Sequence, residues 1–416
     1  MESARNVGVF GGTESGKSQM AALLVDKRLS LDLSMFIVDP KGEFSEEKLP
    51  TTRNFKKRVL KHGRDLKILK SENIYLKPTK KLVEEILKGQ EFFKGSYWNM
   101  TMDKTNREKL IESVIKYSID AGRNELSLLE KWFSNQITIE TYLEKVLRTI
   151  QLDNLAFVYA SKEKQDELSS LIDDILDSPD KLDNLARQFR FLQQLFGQGE
   201  DKYSVNQIVG RVLLNKRSVT VIVPSISDSF DNEFYDPTEH YELILSKIIL
   251  SIRNTLDNPM GSFAGIKNYN CALIFDEAQN IFPYNCPSDS PLLSAIKAIR
   301  KIAETYRAKG ISTWVITPSP KLIDGKLLDR ILDHDIYVGS KLTRSGKKII
   351  DDLITDKNVQ NMFNRIPKPL KAYNELGNKM KNLHFFCKGM ISPLDNGEKG
   401  FITRIDLEID DESDDV

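Results

Sequence analysis

The chain has 416 residues, 40% of them hydrophobic and 29% charged, and its 60 Lys and Arg balance 60 Asp and Glu. That length predicts several domains, or one large domain carrying an insertion, with a core that needs no disulfide or metal. The composition argues against a disordered chain or a wholly basic nucleic-acid coat, and the odd, scattered Cys271, Cys286 and Cys387 fit a reducing compartment rather than a disulfide framework.

Four histidines (His62, His240, His334 and His384) without HExxH spacing argue against a His-based metalloenzyme. No uncharged apolar run approaches the ~18 residues of a membrane span, and no signal peptide is visible at Met1, so a cytoplasmic location is expected. The first predicted strand holds Val7, Val9 and Phe10. A glycine-rich run follows, and Met20, Leu23 and Leu24 continue at helical spacing. Met35-Phe36-Ile37-Val38 is a second strand ending at Asp39-Pro40, so the start of the chain reads as a parallel βαβ unit. Residues 53–81 are basic and contain two short strand candidates, at 66–69 and 73–76. From 82 to about 197 only helical stripes occur: Leu110, Ile111, Val114 and Ile115 after the capping-box spacing of Thr105 and Glu108; Leu143, Val146, Leu147 and Ile150; Leu168, Leu171, Ile172 and Ile175; and Leu182, Leu185, Phe189 and Leu192. Strands resume at 219–223, 271–275, 313–316 and 336–338, with helices around Leu243 to Ile252 and over 292–306 between them. Alternation of apolar strands with helices predicts a parallel sheet covered on both faces. The residues from 406 to 416 read as an acidic, solvated tail.

The run GGTESGKS at 11–18 matches GxxxxGK[ST] between a strand and a helix. Gly11, Gly12 and Gly16 let the backbone turn N–H groups toward phosphate oxygens, with Thr13, Glu14, Ser15 and Gln19 completing the loop. Lys17 supplies a cation to the outer phosphates, Ser18 a hydroxyl to Mg²⁺, and the helix start its positive dipole end. Leu273-Ile274-Phe275-Asp276-Glu277 is an apolar strand ending in two acids. Asp276 is expected in the Mg²⁺ shell, and Glu277 is expected to polarise an attacking water. The run Asp39-Pro40-Lys41-Gly42-Glu43 has two readings, a plain turn or a ligand-facing sheet edge with Asp39, Lys41 and Glu43 as accessory groups. Arg307 is either a solvated helix end or an arginine acting on a neighbouring subunit. The basic stretch at 53–81 is a solvated face or a nucleic-acid backbone contact, and Phe92, Phe93, Tyr97 and Trp98 are helical core or a base-stacking set.

Together GGTESGKS at 11–18, FIVDPKGEF at 36–44, RSVTVIVPSIS at 217–227, ALIFDEAQNIF at 272–282 and IAETYRAKGISTWVITPSP at 302–320 resemble the HerA/FtsK superfamily of ring-forming DNA-pumping ATPases. The DPKGE run is typical of HerA-like proteins and conjugative coupling proteins. The resemblance covers about 1–80 and 205–345 and not the helical block. It implies a P-loop NTPase of RecA-like, mostly parallel α/β fold, with ATP and Mg²⁺ as cofactors and DNA and further copies of the chain, as a hexamer, as partners. It leaves room for a nuclease or another effector, and two rival readings stand beside it: a nucleotide-gated assembly or secretion ATPase that moves protein, and a P-loop scaffold that binds ATP without hydrolysing it. On this reading Gly11, Gly16, Lys17 and Ser18 bind nucleotide and metal, Asp276 and Glu277 are the Walker B acids, and Arg307 acts on the neighbour's γ-phosphate. The chain departs from the family pattern at Glu304-Thr305 and Ala308 around Arg307. It departs again at Pro318, where a glutamine is usual, so either Thr317 or Ser319 substitutes or the phosphate-sensing step is weakened. It also lacks the small β-barrel with which HerA enzymes usually begin and the membrane helices of coupling proteins. The expected organisation is an ATPase core in two parts (1–81 and 201–345), an inserted all-α subdomain (82–200), an α/β extension (346–405) and the tail (406–416).

Overall fold

A computed structural model describes residues 4–78, 82, 128–152, 162–224, 237–288, 290–354, 357–373, 379–389 and 400–408. The predicted helix around Leu110, the aromatic set at 92–98, the last part of the motif at 217–227 and the tail beyond 408 lie outside these residues.

The chain forms two compact units. One comprises Met1–Ser71, Asn206–Ser225 and Tyr241–Val416, and the other Glu72–Val205 and Ile226–His240. The first is built on a sheet with strands β1 (Val7–Phe10), β2 (Ser34–Val38), β3 (Asp65–Lys70), β6 (Ser218–Val223), β7 (Cys271–Phe275), β8 (Ile311–Thr317), β9 (Asp335–Val338), β10 (Leu370–Tyr373), β11 (Lys379–Lys388) and β12 (Phe401–Glu408). The short β4 (Ile74–Tyr75) and β5 (Tyr203–Ser204) pair only with each other, in the second unit. The strand order is β10-β11-β9-β1-β8-β7-β2-β6-β3, with β12 on the other side of β11. From β9 through to β3 every pair is parallel; β11 then runs antiparallel to β9, β10 and β12.

The apolar runs explain the centre of this sheet. Every residue of β1, β2, β7, β8 and β9 is buried, as a parallel strand covered on both faces requires. On one face Met20, Ala21, Leu24 and Val25 of the helix Lys17–Lys27 pack with Val7, Val9, Met35, Ile37, Trp314 and Ile316. Each such side chain contributes on the order of 1.5–3 kcal/mol through removal from water. β3, at the far end of the order, alternates exposed residues with partly buried or buried ones, as an edge strand should.

Three elements differ from expectation. Asp406, Leu407 and Glu408 are the end of β12 rather than the start of a tail. The strand expected at 73–76 shrinks to two residues after a 3₁₀ turn at Ser71–Asn73. Two cations of the basic stretch, Arg64 and Arg58, are consumed internally, while Arg53, Lys56, Lys57, Lys61, Lys67 and Lys70 are exposed. Arg64 is 3% exposed, and it donates from Nε to Leu29 O at 2.7 Å, from Nη1 to Leu33 O at 2.7 Å and from Nη2 to Leu31 O. Its guanidinium therefore satisfies the orphan carbonyls beyond the helix Lys17–Lys27. Arg58 pairs with Asp26 at 2.6 Å.

The second unit carries the helices Leu128–Phe133, Ile139–Leu152, Lys162–Leu176 and Pro179–Phe196. Trp132 stacks on Tyr142 with ring centroids 5.0 Å apart, and Phe133 meets Phe196 at 5.2 Å. Leu143, Val146 and Leu147 complete this core. The described members of three predicted stripes (Leu143, Val146 and Leu147; Ile172 and Ile175; Leu185 and Leu192) are therefore buried packing positions. No described helix is long and apolar enough to cross a membrane.

Candidate active site

Because β1, β2, β7 and β8 run in parallel, the segments that follow them emerge at one edge of the sheet, where open α/β sheets bind ligands. Residues 11–16 leave β1 and turn into the helix Lys17–Lys27. Gly16 makes that turn with φ +85°, a left-handed conformation that costs glycine nothing. Gly12 is required for a different reason: a Cβ there would lie 2.2 Å from the Lys341 carbonyl oxygen. The loop is braced by Gly12 N donating to Ser340 O at 3.1 Å and Gly11 N to Thr317 O at 3.4 Å. By contrast, the backbone amides of Thr13, Glu14, Gly16, Lys17, Ser18 and Gln19 donate to no acceptor among the described residues. Six open donors at the positive end of an eleven-residue helix are what a polyphosphate needs.

Facing this loop are the two acids that follow β7. Glu277 has φ 48° and ψ 45°, a strained left-handed conformation for a residue with a side chain. Its carboxylate is almost fully buried and gripped from three directions. Lys17 Nζ donates to Oε1 at 3.0 Å, Lys41 Nζ to the same oxygen at 2.5 Å, and Gln279 Nε2 to Oε2 at 2.5 Å. Burial opposes the charge on Glu277. The hydrogen bonds from Lys41 and Gln279, together with the charge of Lys17, outweigh it and lower this carboxyl to about 2. Asp276 is treated in the opposite way. It is 1% exposed, and neither side-chain oxygen has a hydrogen-bond partner among the described residues. Burial, then the charges of Glu43 and Glu277, push its carboxyl well above the ordinary range, against the pull of Lys17. Glu43 Oε2 is also buried and unpartnered. Orphaned hard oxygens beside an open phosphate cradle fit Mg²⁺, which is commonly held by one or two carboxylates plus substrate phosphates and water. No cluster of three or more ligating side chains exists among the described residues.

The DPKGE run forms a turn whose Lys41 and Glu43 lie beside the two acids. Asp39 builds the turn: its carboxylate accepts from Glu43 N at 2.8 Å, Phe44 N at 3.0 Å and Ser45 N at 2.9 Å, all within a buried pocket. With its oxygens so occupied, Asp39 shapes the loop, and Lys41 and Glu43 are the members that reach the acids. Thr317 and Ser319 are likewise occupied. Thr317 Oγ1 donates to Ser319 O at 3.3 Å, and Ser319 Oγ pairs with Thr343 Oγ1 at 3.1 Å, so neither hydroxyl is free where the family's glutamine would stand. Three residues at this edge went unread in the sequence. Gln279 orients Glu277. Ser340 braces the phosphate loop. Tyr241 is buried, its hydroxyl lacks a partner among the described residues, and burial followed by the charges of Asp39 and Asp276 raises its ionisation. Only Gln279 had a visible signal, its place two residues beyond the acidic pair.

Arg307 is elsewhere. It lies in the 3₁₀ turn Tyr306–Lys309 before the first residue of β8, whereas Thr317 ends β8 beside the phosphate loop. Seven strand residues span about 20 Å, so Arg307 does not join the acids of its own chain. Its Nη1 lies 3.4 Å from His334 Nδ1, and its Nε has no partner among the described residues.

A phosphate cradle between β1 and its helix, facing two acids after β7 on a mostly parallel sheet, defines a P-loop NTPase. Residues 3–233, more than half of the chain, match the family described as helicase HerA, central domain. The chain belongs to that family, and so to the HerA/FtsK-type P-loop ATPases. Among solved structures it is similar to VirB4 of Thermoanaerobacter pseudethanolicus, with 12% identity over 97% of this chain and 89% of that one and a TM-score of 0.42. It is also similar to the genome packaging NTPase B204 from Sulfolobus turreted icosahedral virus 2 in complex with AMP, with 13% identity over 47% of this chain and 69% of that one and a TM-score of 0.26. No curated protein sequence matches the chain.

Proposed function

We propose that this protein is an Mg²⁺-dependent ATPase that assembles into a ring, a hexamer, and moves DNA through it. The observation that carries the catalytic half is the convergence of Lys17 and Glu277 beside six open backbone amides. The open amides of Thr13, Glu14 and Gly16 to Gln19, with the Lys17 ammonium, hold the phosphates. Ser18 and Asp276 hold the metal, with Glu43 in the next layer. Bound Mg²⁺ neutralises charge on the outer phosphates. Glu277, once released by Lys17, accepts a hydrogen bond from the attacking water and aims it. Asp39 keeps Lys41 and Glu43 in register. Arg307 completes the site of the adjacent subunit, because it stands a strand's length from its own.

The DNA half is supported by family membership and by a cationic cluster. Arg344, Lys347 and Lys348 line an open cavity of about 720 Å³ at the start of the helix Arg344–Asp351. None of the three forms an ion pair among the described residues. The segment leading to that helix is tied to the phosphate loop through Gly12–Ser340 and Lys341–Glu14. Contacts of this kind read the phosphate backbone and weaken with salt.

The test is turnover of the purified chain with Mg²⁺-ATP, with and without duplex and single-stranded DNA, at low and moderate salt, alongside particle imaging. Stimulation by DNA that fades with salt, on ring-shaped particles, is the expected result. Turnover indifferent to DNA at low salt would remove the translocase reading and leave the ATPase.

A further inference from the structure

Lys17 and Lys41 come to one oxygen from opposite sides. Lys17 follows β1 and Lys41 follows β2, and β8 and β7 lie between those strands. Three strand spacings amount to about 14 Å, yet both ammonium groups reach Glu277 Oε1, at 3.0 and 2.5 Å. Their nitrogens are therefore at most about 5.5 Å apart. Two like charges that close are held together only by an anionic oxygen between them. The acids around Lys41 are Glu277, Asp276 and Glu43, and all three favour its charge. Its stem is pinned at the backbone, where Lys48 Nζ donates to Lys41 O at 2.8 Å. Its side chain is half exposed, so the ammonium has room to swing while the backbone stays fixed.

We propose that Lys41 is a second cation for the terminal phosphate of the bound nucleoside triphosphate, competing for that phosphate with its own partner Glu277. The proposal rests on the ATPase reading above and adds a residue to it. An oxygen of the terminal phosphate offers the lysine pair the same charge and acceptor geometry as Glu277 Oε1, with more charge behind it. A terminal phosphate that draws both ammonium groups onto itself strips two of the three donors from Glu277. Its carboxylate, still held by Gln279, is then free to accept from water. Lys41 thus links the presence of the third phosphate to the release of the water-polarising acid. Lys17 stands at the mouth of the phosphate loop and serves the inner as well as the outer phosphates. Lys41 comes from the far side of the acids and serves the outer one alone.

The consequence is nucleotide discrimination, which equilibrium titration reads without turnover. The full chain is titrated calorimetrically with Mg²⁺-ADP and Mg²⁺-ATPγS as wild type, Lys41→Met, Lys41→Arg, Glu277→Gln and the Lys41→Met/Glu277→Gln pair. Lys41→Met should weaken ATPγS by about tenfold or more, the loss of one charge-assisted contact, and leave ADP within about twofold. Lys41→Arg should recover most of that loss. Glu277→Gln should tighten ATPγS by removing the competing carboxylate, and the gain should vanish in the double variant. Equal weakening of ADP and ATPγS by Lys41→Met would make Lys41 a structural residue and overturn the proposal. So would no change in either, or a Glu277→Gln gain that survives without Lys41. A wild-type chain that binds neither nucleotide would overturn the ATPase reading itself, an outcome distinct from the others.

Discussion

The two edges of the parallel strands are finished in opposite ways. At the amino edge the polar groups close on one another. Asn6 Nδ2 donates to Ala303 O at 3.1 Å and Arg330 O at 3.2 Å, while Asn6 Oδ1 accepts from Thr313 N at 3.1 Å. Arg5 pairs with Asp335 at 2.8 Å and Arg330 with Glu304 at 2.7 Å. At the carboxyl edge the groups are left open: among the described residues, six amides lack acceptors, both oxygens of Asp276 lack donors, and two lysines share one carboxylate. One edge is largely closed as folded, and the other holds the open phosphate-loop amides and the orphaned oxygens of Asp276. Arg307 is an unfinished cation on the closed side: like the hydroxyls of Tyr269 and Thr313, its buried Nε has no partner among the described residues. An unfinished group on a finished edge is what an acceptor supplied by another copy of the chain would explain.

The largest effect should come from removing the open edge's central cation. Lys17→Ala should cut turnover by at least about 10³-fold and weaken nucleotide binding, since it removes both a phosphate contact and a partner of Glu277. Retention of near-normal turnover would mean that the phosphate loop is not the site. Arg307→Ala should lower turnover by about 10³-fold, the scale of an arginine supplied across an interface, and leave nucleotide affinity unchanged. The sharper experiment mixes the two inactive variants. Lys17→Ala subunits still carry Arg307, and Arg307→Ala subunits still carry Lys17, so mixed assemblies should regain a fraction of wild-type turnover. Failure to regain any would leave the two edges without a functional link.

Stability separates the edges in the next size class. Asp39→Ala removes the acceptor for three buried or partly buried amides, so unfolding should become easier by about 3 kcal/mol or more, at about 1–3 kcal/mol per amide left unmet. Asp276→Asn should do the reverse. Its carboxylate is buried, unpartnered and repelled by Glu43 and Glu277, so its folded-state pKa lies above the ordinary 3.8. A raised carboxyl costs stability as pH climbs above its unfolded value. In Mg²⁺-free buffer Asp276→Asn should therefore unfold later than wild type at pH 7, by on the order of 1–3 kcal/mol. The gap should close as pH falls through about 4. Glu277 has the opposite sign: its carboxyl is lowered to about 2, so its contribution is complete above its ordinary 4.5 and is lost on acidification from there toward 2. Thermal melts of Asp276→Asn and Glu277→Gln across that window should therefore diverge in direction. Parallel curves would mean that the two neighbours share one environment.

Much of the open edge was legible in the sequence because its chemistry demands particular residues at fixed spacing. A left-handed turn needs Gly16, a phosphate needs Lys17, and a buried strand ending in charge at Asp276-Glu277 is hard to read otherwise. What was not legible depends on long-range pairing. The partner of Lys41 is 236 positions away in the chain, and no local pattern announces it. Arg64 reads as one more solvated cation until the carbonyls of Leu29, Leu31 and Leu33 are folded around it. The edge strand β12 was obscured by its own charges. Phe401, Ile405 and Leu407 alternate with Ile402, Arg404 and Asp406, but the acidic residues after them make the end look like a tail. Its neighbour β11 matters to the site, since Leu383 packs against the turn of Gly16 so closely that a Cβ there would lie 2.7 Å from it.

The smallest effect is expected where the open edge is braced at its surface. Lys341 Nζ lies 2.5 Å from Glu14 Oε2, and that ion pair lowers the Glu14 carboxyl, but the Glu14 side chain is exposed. Exposed pairs of this kind contribute little, because water and salt screen them and both side chains lose freedom in meeting. The same loop is held from beneath by Gly12 N to Ser340 O at 3.1 Å and, one step further, by Ser319 and Thr343 at 3.1 Å. If the buried contacts set the loop, Glu14→Gln should leave the unfolding midpoint and ATPγS affinity unchanged within error at any salt. Gly12→Ala, which drives a methyl into the Lys341 carbonyl, should depress both. A clear loss from Glu14→Gln that high salt reproduces in wild type would reverse that order. The brace would then lie in the charge at the rim, and a polyanion arriving at Arg344 and Lys348 would act on the nucleotide by competing for Lys341.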